Sequence, residues 1–147
     1  MDIFQATIDD LEGVSSVFNL YRMFYQQESD IEGAKSYIKD RLEKEDSVIF
    51  VVKDKESYVG FTQLYPTFSS VSMKRVWILN DLYVDAAVRR KGVGEMLLQK
   101  AKDYANETGA KSISLSTAVD NYGAQRLYEK NGYKKDSEFY QYEIRLT

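Results

Sequence analysis

The sequence predicts a mixed α/β fold, a central sheet with helices on its faces. Three observations predict it. Apolar residues recur at three- and four-residue spacing in four separate segments, as helices with one buried face require. Between those segments lie β-branched or alternating runs, as strands require. The resulting order, β-α-α-β-β-β-α-β-α-β(β), interleaves the two kinds of element instead of segregating them. With 147 residues and no internal repeat, low-complexity tract or linker, the chain predicts a single domain spanning 1–147.

Each element has its own signal. Ile3, Ala6 and Ile8 alternate weakly over residues 2–8 and predict a first strand. Asp9 or Asp10 can cap the helix that carries Leu11, Val14, Val17, Phe18 and Tyr21 on one face. Ser29-Asp30 opens a second helix with Ile31, Ala34, Tyr37, Ile38 and Leu42 aligned. Ser47 to Lys53 is β-branched and apolar, and a turn at 54–57 returns the chain as a hairpin partner over Tyr58–Tyr65. Pro66 to Lys74 predicts a Ser-rich loop, and Trp77 to Val84 the next strand. A helix opening at Gly92–Gly94 turns Val93, Leu97, Ala101, Tyr104 and Ala105 inward and stops near Thr108-Gly109. Ser112–Thr117 alternates as a half-polar strand. Asn121 to Lys130 predicts a short helix with Ala124, Leu127 and Tyr128 inward, stopped by Asn131-Gly132. Tyr140, Tyr142, Ile144 and Leu146 alternate in a terminal strand over Phe139–Leu146.

Composition narrows the chemistry. Hydrophobic residues make up 44% and charged residues 29%, ordinary for a globular domain. A net charge of −3 argues against a nucleic-acid-coating protein. No apolar run approaches the roughly 18–20 residues of a membrane span. Met-Asp-Ile-Phe-Gln lacks the basic start of a secretory signal, which points to the cytoplasm. Without cysteine there is no disulfide, thiolate metal site or Cys nucleophile, and no metal is expected. Without histidine there is no Ser-His-Asp triad. Catalysis then falls to tyrosine, carboxylates, lysine, backbone dipoles or water. Most of the 12 tyrosines suit core or half-buried strand positions.

One junction carries more information than the rest. The apolar run ending at Val84 meets a loop with Arg89, Arg90 and Lys91, then Gly92-Val93-Gly94 and a helix. Open N–H groups at a helix start attract anions, and glycine lets a ligand approach the main chain. Three adjacent cations favour a phosphorylated one. The spacing is not that of a dinucleotide fingerprint, because Leu97 occupies the third glycine position. Nor is it a Walker A loop, because no Gly-Lys-Ser/Thr follows. The plain alternative is a tight strand-to-helix turn with solvated basic residues.

A second segment decides between these. Asn121-x-x-Ala124-x-x-Leu127-Tyr128-x-x-x-Gly132-Tyr133 follows one helix and one strand later. Together with Arg89-x-x-Gly92-x-Gly94 it resembles the GCN5-related N-acetyltransferase (GNAT) superfamily over about residues 76–146. Leu79-Asn-Asp-Leu-Tyr-Val-Asp85 is similar to the branch with small histone, polyamine and D-amino-acid N-acetyltransferases. The resemblance implies the acyl-CoA N-acyltransferase fold, a mostly antiparallel sheet with one splayed parallel strand pair. It also implies acetyl-CoA as co-substrate. Its pyrophosphate would lie on Arg89, Arg90, Lys91, Gly92, Val93, Gly94 and Glu95, and its pantetheine arm along Leu82, Tyr83 and Val84, with Asn121, Ala124 and Tyr128 nearby. The Leu82 N–H would then face the thioester oxygen, and Tyr128 would protonate the departing thiolate as general acid.

The base is open. Polyamine-acetylating relatives carry Glu where this chain has Asn80, and an amide takes no proton at neutral pH. Either a water positioned at Asn80 relays the proton to a more distant carboxylate, or the amine arrives neutral. Asp81 is adjacent, yet strand alternation predicts it on the face opposite Asn80, and a purely structural acceptor role competes with a base role. Tyr21, Tyr25, Gln63, Tyr65 and Phe68 are candidates for the amine pocket, since aromatic rings suit a cation or aliphatic arm. Packing of the N-terminal helices is the competing role for each.

The expected reaction is acetyl transfer to a primary amine of a small molecule, a polyamine, amino acid or similar, by direct attack in a ternary complex. Rivals are a protein lysine or N-terminal acetyltransferase, and a CoA-binding regulatory module without turnover. A homodimer is the expected assembly, with no nucleic-acid or membrane partner.

Overall fold

In the computed structural model, which describes residues 1–147, the chain divides into two compact units, 1–116 and 117–147. The first is built on a five-stranded sheet whose strand order equals chain order. Its strands are β1 (Asp2–Gln5), β2 (Val48–Asp54), β3 (Ser57–Ser69), β4 (Lys74–Val84) and β5 (Ser112–Ser114). β1 to β4 are antiparallel, and β5 runs parallel to β4. Helices α1 (Leu11–Phe24) and α2 (Ile31–Lys44) connect β1 to β2, and α3 (Val93–Glu107) connects β4 to β5. This is the mixed sheet with flanking helices that the sequence predicts.

Alternation along the strands sorts the packing into two layers. Ile49, Val51 and Phe61 join Val14, Val17 and Phe18 of α1 and Ala34 and Ile38 of α2 in one core. On the opposite face Phe50 meets Tyr104 of α3 edge-on, with ring centroids 5.4 Å apart. Covered on both faces, β2 is buried throughout Val48–Val52, which is why its sequence is continuously apolar.

Helix starts are capped as their chemistry allows. Asp30 accepts from the Gly33 N–H at 2.9 Å and caps α2. At α1 the N-cap position is Asp10, as expected, but its side chain makes no bond within that helix; the side-chain cap is Thr7, on the turn before it. Its hydroxyl accepts from the Asp9 N–H, and its own N–H donates to Asp10 Oδ2 at 2.9 Å, around a 3-10 turn over Ile8–Asp10.

The strand expectations change at several points, and β4 begins at Lys74, three residues before Trp77. β1 stops at Gln5, short of Ile8. β3 continues through Pro66 to Ser69, into the segment predicted as loop. Proline is tolerated there because β2 pairs with β3 only as far as Leu64, which leaves Pro66 a free edge on that side. β5 ends at Ser114 instead of Thr117. The predicted terminal strand over Phe139–Leu146 does not form. Its side chains remain exposed, Tyr140 at 90% and Tyr142 at 93%, and alternation without a partner strand makes no sheet.

The second unit contains α4 (Tyr122–Lys130). Asn121 caps it by accepting from the Ala124 N–H at 3.2 Å. Gln125 donates to the carbonyls of Ala118 and Val119, each at 3.1 Å, and ties the preceding turn to the helix.

Candidate active site

β4 is exposed as a strand edge along part of its length. It pairs with β5 only at Val76, Trp77 and Ile78, while its pairing with β3 continues to Val84. Beyond Ile78 the edge away from β3 is therefore open. The Asp85 N–H donates to Val59 O at 2.8 Å, so it faces β3. Successive backbone groups point to opposite sides, so the N–H and C=O of Leu82 and Val84 face the open edge. Arg89 Nε donates to Val84 O at 3.1 Å, consistent with that carbonyl lying off the ladder.

The loop after β4 places a helix start beside this edge. Asp85 caps a 3-10 turn over Ala86–Val88 by accepting from the Ala87 N–H at 2.9 Å, and Val88 anchors the loop in the core. Arg89, Arg90, Lys91 and Gly92 are exposed. Gly92 holds φ +79° at the N-cap of α3, and a Cβ built there would meet nothing within 4 Å. The first backbone bond of α3 runs from Met96 N–H to Gly92 O at 3.0 Å, and no side chain caps the helix. Val93 is buried at 1% exposure, while Gly94 and Glu95 are half-buried. The positive end of the α3 dipole, the open space above Gly92 and three cations suit an anionic phosphate.

Gly60, which sequence reasoning overlooked, sets the height of that helix start. A Cβ on it would lie 3.0 Å from Val93 Cγ1 and 3.1 Å from Tyr83 O. Glycine is what lets the first turn of α3 rest on the sheet. The available signal was a lone glycine inside a strand, which marks close approach.

A buried polar cluster occupies the α1-facing side of β3 and β4. Gln63 pairs with Asp81 and Leu64 with Leu79, so Asn80 is the extra residue of a β-bulge. The bulge interrupts alternation and corrects the expectation that Asn80 and Asp81 face opposite ways. Their side chains are hydrogen-bonded, Asn80 Nδ2 donating to Asp81 Oδ1 at 2.8 Å. Asp81 is 2% exposed. Its Oδ2 accepts from Gln63 Nε2 at 2.5 Å, and Gln63 Oε1 in turn accepts from the Ser47 hydroxyl at 2.8 Å. Thr62 Oγ1 donates to Asp81 O at 2.8 Å, and the Tyr21 hydroxyl to Asn80 O at 3.3 Å. Burial pushes the Asp81 carboxyl above its ordinary range, against the hydrogen bonds from Asn80, Gln63 and Tyr21 that favour its charge.

Aromatic residues line the same side. Tyr21 packs edge-on against Phe61 at 5.6 Å and Tyr25 at 5.1 Å. The Tyr65 and Tyr37 hydroxyls share a hydrogen bond of 2.7 Å, and burial raises the Tyr65 phenol. Tyr21, Tyr25, Gln63 and Tyr65 thus border one region with Asn80 and Asp81. Phe68 does not join them: it is 71% exposed, on the other face of β3, beneath the Arg75 guanidinium at 5.1 Å.

In the second unit, α4 holds Tyr128 by its C-terminal geometry. Gly132 takes φ +93°, its N–H donates to Glu129 O at 3.2 Å, and the Tyr133 N–H donates to Tyr128 O at 3.0 Å. This pair of bonds is a Schellman motif, completed by the Tyr128 and Tyr133 rings at 6.0 Å. Tyr128 is half-buried, as are Asn121 and Ala124. The Tyr133 phenol is pushed up to about 12, first by burial and then by Tyr128. The spacing Tyr-x-x-x-Gly-Tyr is therefore a helix stop that fixes the first tyrosine with the second. Tyr133 was missing from the sequence-based site, although it stood within the motif.

Comparison with known proteins bears on both units. The sequence model of the acetyltransferase (GNAT) family matches residues 14–133. The chain is similar to YhfO, an uncharacterised N-acetyltransferase of Bacillus subtilis (strain 168), at 51% identity over 97% of this chain and 95% of that one. It is similar to the D-amino-acid N-acetyltransferase HPA3 of Saccharomyces cerevisiae at 35% identity, over 56% of this chain and 51% of that one. The crystal structure of a probable acetyltransferase, 44% identical, superposes with a TM-score of 0.95 and covers 100% of this chain and 99% of its own.

Proposed function

We propose a reaction from one established premise: the chain belongs to the acetyltransferase (GNAT) family and is an acetyl-CoA-dependent acyltransferase. The reaction is acetyl transfer to the nitrogen of a primary amine on a small molecule, a polyamine or amino acid, by direct attack in a ternary complex. The open edge of β4 beside the uncapped start of α3 carries this reading. It offers a strand-like partner for an amide-bearing arm and an anion site at the arm's end. The yeast relative is a D-amino-acid N-acetyltransferase, which supports a small acceptor.

Bound acetyl-CoA supplies the thioester whose acetyl group is transferred. Backbone N–H groups from Arg90 to Glu95 hold the pyrophosphate, and Arg89, Arg90 and Lys91 neutralise it. Leu82, Tyr83 and Val84 align the arm by strand pairing, and Asn121 and Ala124 contact it. The Leu82 N–H is aimed where the carbonyl oxygen gains negative charge. As the C–N bond forms and the C–S bond breaks, the Tyr128 hydroxyl gives its proton to sulfur. Asn80 positions the water that relays the amine proton to a more distant carboxylate. Tyr21, Tyr25 and Tyr65 border the acceptor, and the buried Gln63 stands behind them on Asp81.

No helix is long and apolar enough to cross a membrane, and the proposed location is the cytoplasm. A homodimer is the proposed assembly, supported by the exposed apolar side chains of residues 139–146.

The test is thiol release from acetyl-CoA with a panel of primary amines. Tyr128→Phe is expected to lower kcat about 100-fold with acetyl-CoA binding retained, the usual scale of a lost general acid. Acetyl-CoA binding without amine-dependent release in the wild type would instead identify a CoA-binding module, the reading that Asn80 in place of a carboxylate favours.

A further inference from the structure

We propose that Asp81 is a positioning residue: it locks the Asn80 amide so that the Asn80 carbonyl oxygen faces outward as the acceptor for an N–H of the attacking amine. This inference rests on the acetyl-transfer reading above and deepens it by assigning the group that receives the nucleophile.

Hydrogen-bond polarity carries it. An ionised carboxylate accepts and never donates. The two Asp81 oxygens are each met by a side-chain amide, Oδ1 by Asn80 and Oδ2 by Gln63. Both amides must therefore turn their NH2 groups toward Asp81 and their oxygens away. For Gln63 the oxygen is directed at the Ser47 hydroxyl, which satisfies it inside the protein. For Asn80, an exposed residue, the oxygen is directed away from the cluster. One buried anion thus sets the direction of two amides, and only the Asn80 oxygen is left for something from outside.

The placement suits a nucleophile. Asn80 lies two residues before Leu82, whose N–H faces the open edge of β4, a separation of about 6–7 Å along a strand. The acceptor for the amine and the donor for the thioester oxygen thus lie on one rigid strand. The bulge is what makes this geometry available, because without it Asn80 and Asp81 would face opposite ways. No lysine or arginine pairs with Asp81. The groups facing it are Asn80 on its own strand, Gln63 and Tyr65 from β3 and Tyr21 from α1, all neutral.

In Asp81→Asn the central group has one oxygen and one NH2, so only one neighbouring amide can keep its direction. Gln63 is fully buried and bonded to Ser47, whereas Asn80 is exposed and free to turn. Asn80 is the amide whose direction is lost.

The experiment is a double-mutant cycle on the full chain with Asn80→Leu, Asp81→Asn and the pair. Thiol release is read at saturating acetyl-CoA with spermidine, L-lysine and D-alanine as probes, and acetyl-CoA binding is measured separately. Each single variant is expected to raise the amine KM about tenfold, the scale of one lost hydrogen bond. The double variant is expected to raise it no further, because Asp81 acts through Asn80. Additive effects would show that Asp81 does not act through Asn80 and would overturn the inference. So would an unchanged amine KM in Asn80→Leu, which decides the matter alone if Asp81→Asn does not fold. If the wild type releases no thiol with any probe while binding acetyl-CoA, the transfer reading fails and the inference fails with it. Wild-type turnover with unmoved KM values sinks the inference alone.

Discussion

Asp81 shows how a single residue ties stability to pH. Burial raises its folded carboxyl above the ordinary value of 3.8. Its favourable contribution is therefore full below that value and is lost as pH rises through the folded one, because only the folded state holds the proton in that window. Asp81→Asn has no such titration. The melting temperature of the variant relative to wild type is expected to climb as pH rises from the ordinary carboxylate value through the raised folded one, and to level off once Asp81 is ionised in both states. A difference flat in pH would show that the charge costs nothing. Sequence reasoning named Asp81 and Asn80 but set them on opposite faces, since simple alternation is all that a strand pattern conveys. The bulge depends on the register with β3, and no local pattern announces it.

At the scale of elements, Gly60 governs the meeting of β3 with α3. Gly60→Ala would press a methyl against Val93 and the Tyr83 carbonyl. Overpacking of this kind costs about 1–3 kcal/mol. Denaturant melts should show that loss, and acetyl-CoA should bind more weakly because the first turn of α3 is lifted from the sheet. Unchanged binding would mean that the helix start is held by other contacts. Elements with local signals were legible: the Asn121 cap, the Gly132 stop, the Asp30 cap and the buried β2 run all appear where the sequence puts them. Thr7 was overlooked although Thr-x-x-Asp is itself a cap signature. The segment 139–146 alternates as well as any strand in the chain, but alternation says only which face a strand would present, not whether an edge exists to receive it.

For the whole molecule, that segment leaves Phe139, Tyr140, Tyr142, Ile144 and Leu146 at 75–93% exposure. Aromatic side chains bury about 150–250 Å² each. Five large apolar groups therefore approach the roughly 800 Å² per partner of a stable interface. Sedimentation is expected to show a dimer at micromolar concentration, and Tyr142→Ser with Ile144→Ser to shift it toward monomer. A wild-type monomer would reject the assembly. Strand order has a different consequence, for how the fold is reached. β2, β3 and β4 are joined by short turns, so this meander can form from contacts close in sequence. β1 must close a loop through two helices, and β5 a loop through α3, each at a greater entropic cost. Gln63, Asn80 and Asp81 belong to the quickly assembled meander, whereas the helix start proposed to hold the anion belongs to a slower closure. On the proposed reading the acceptor side of the site forms before its donor side, and a bound cofactor would hold the later closure shut.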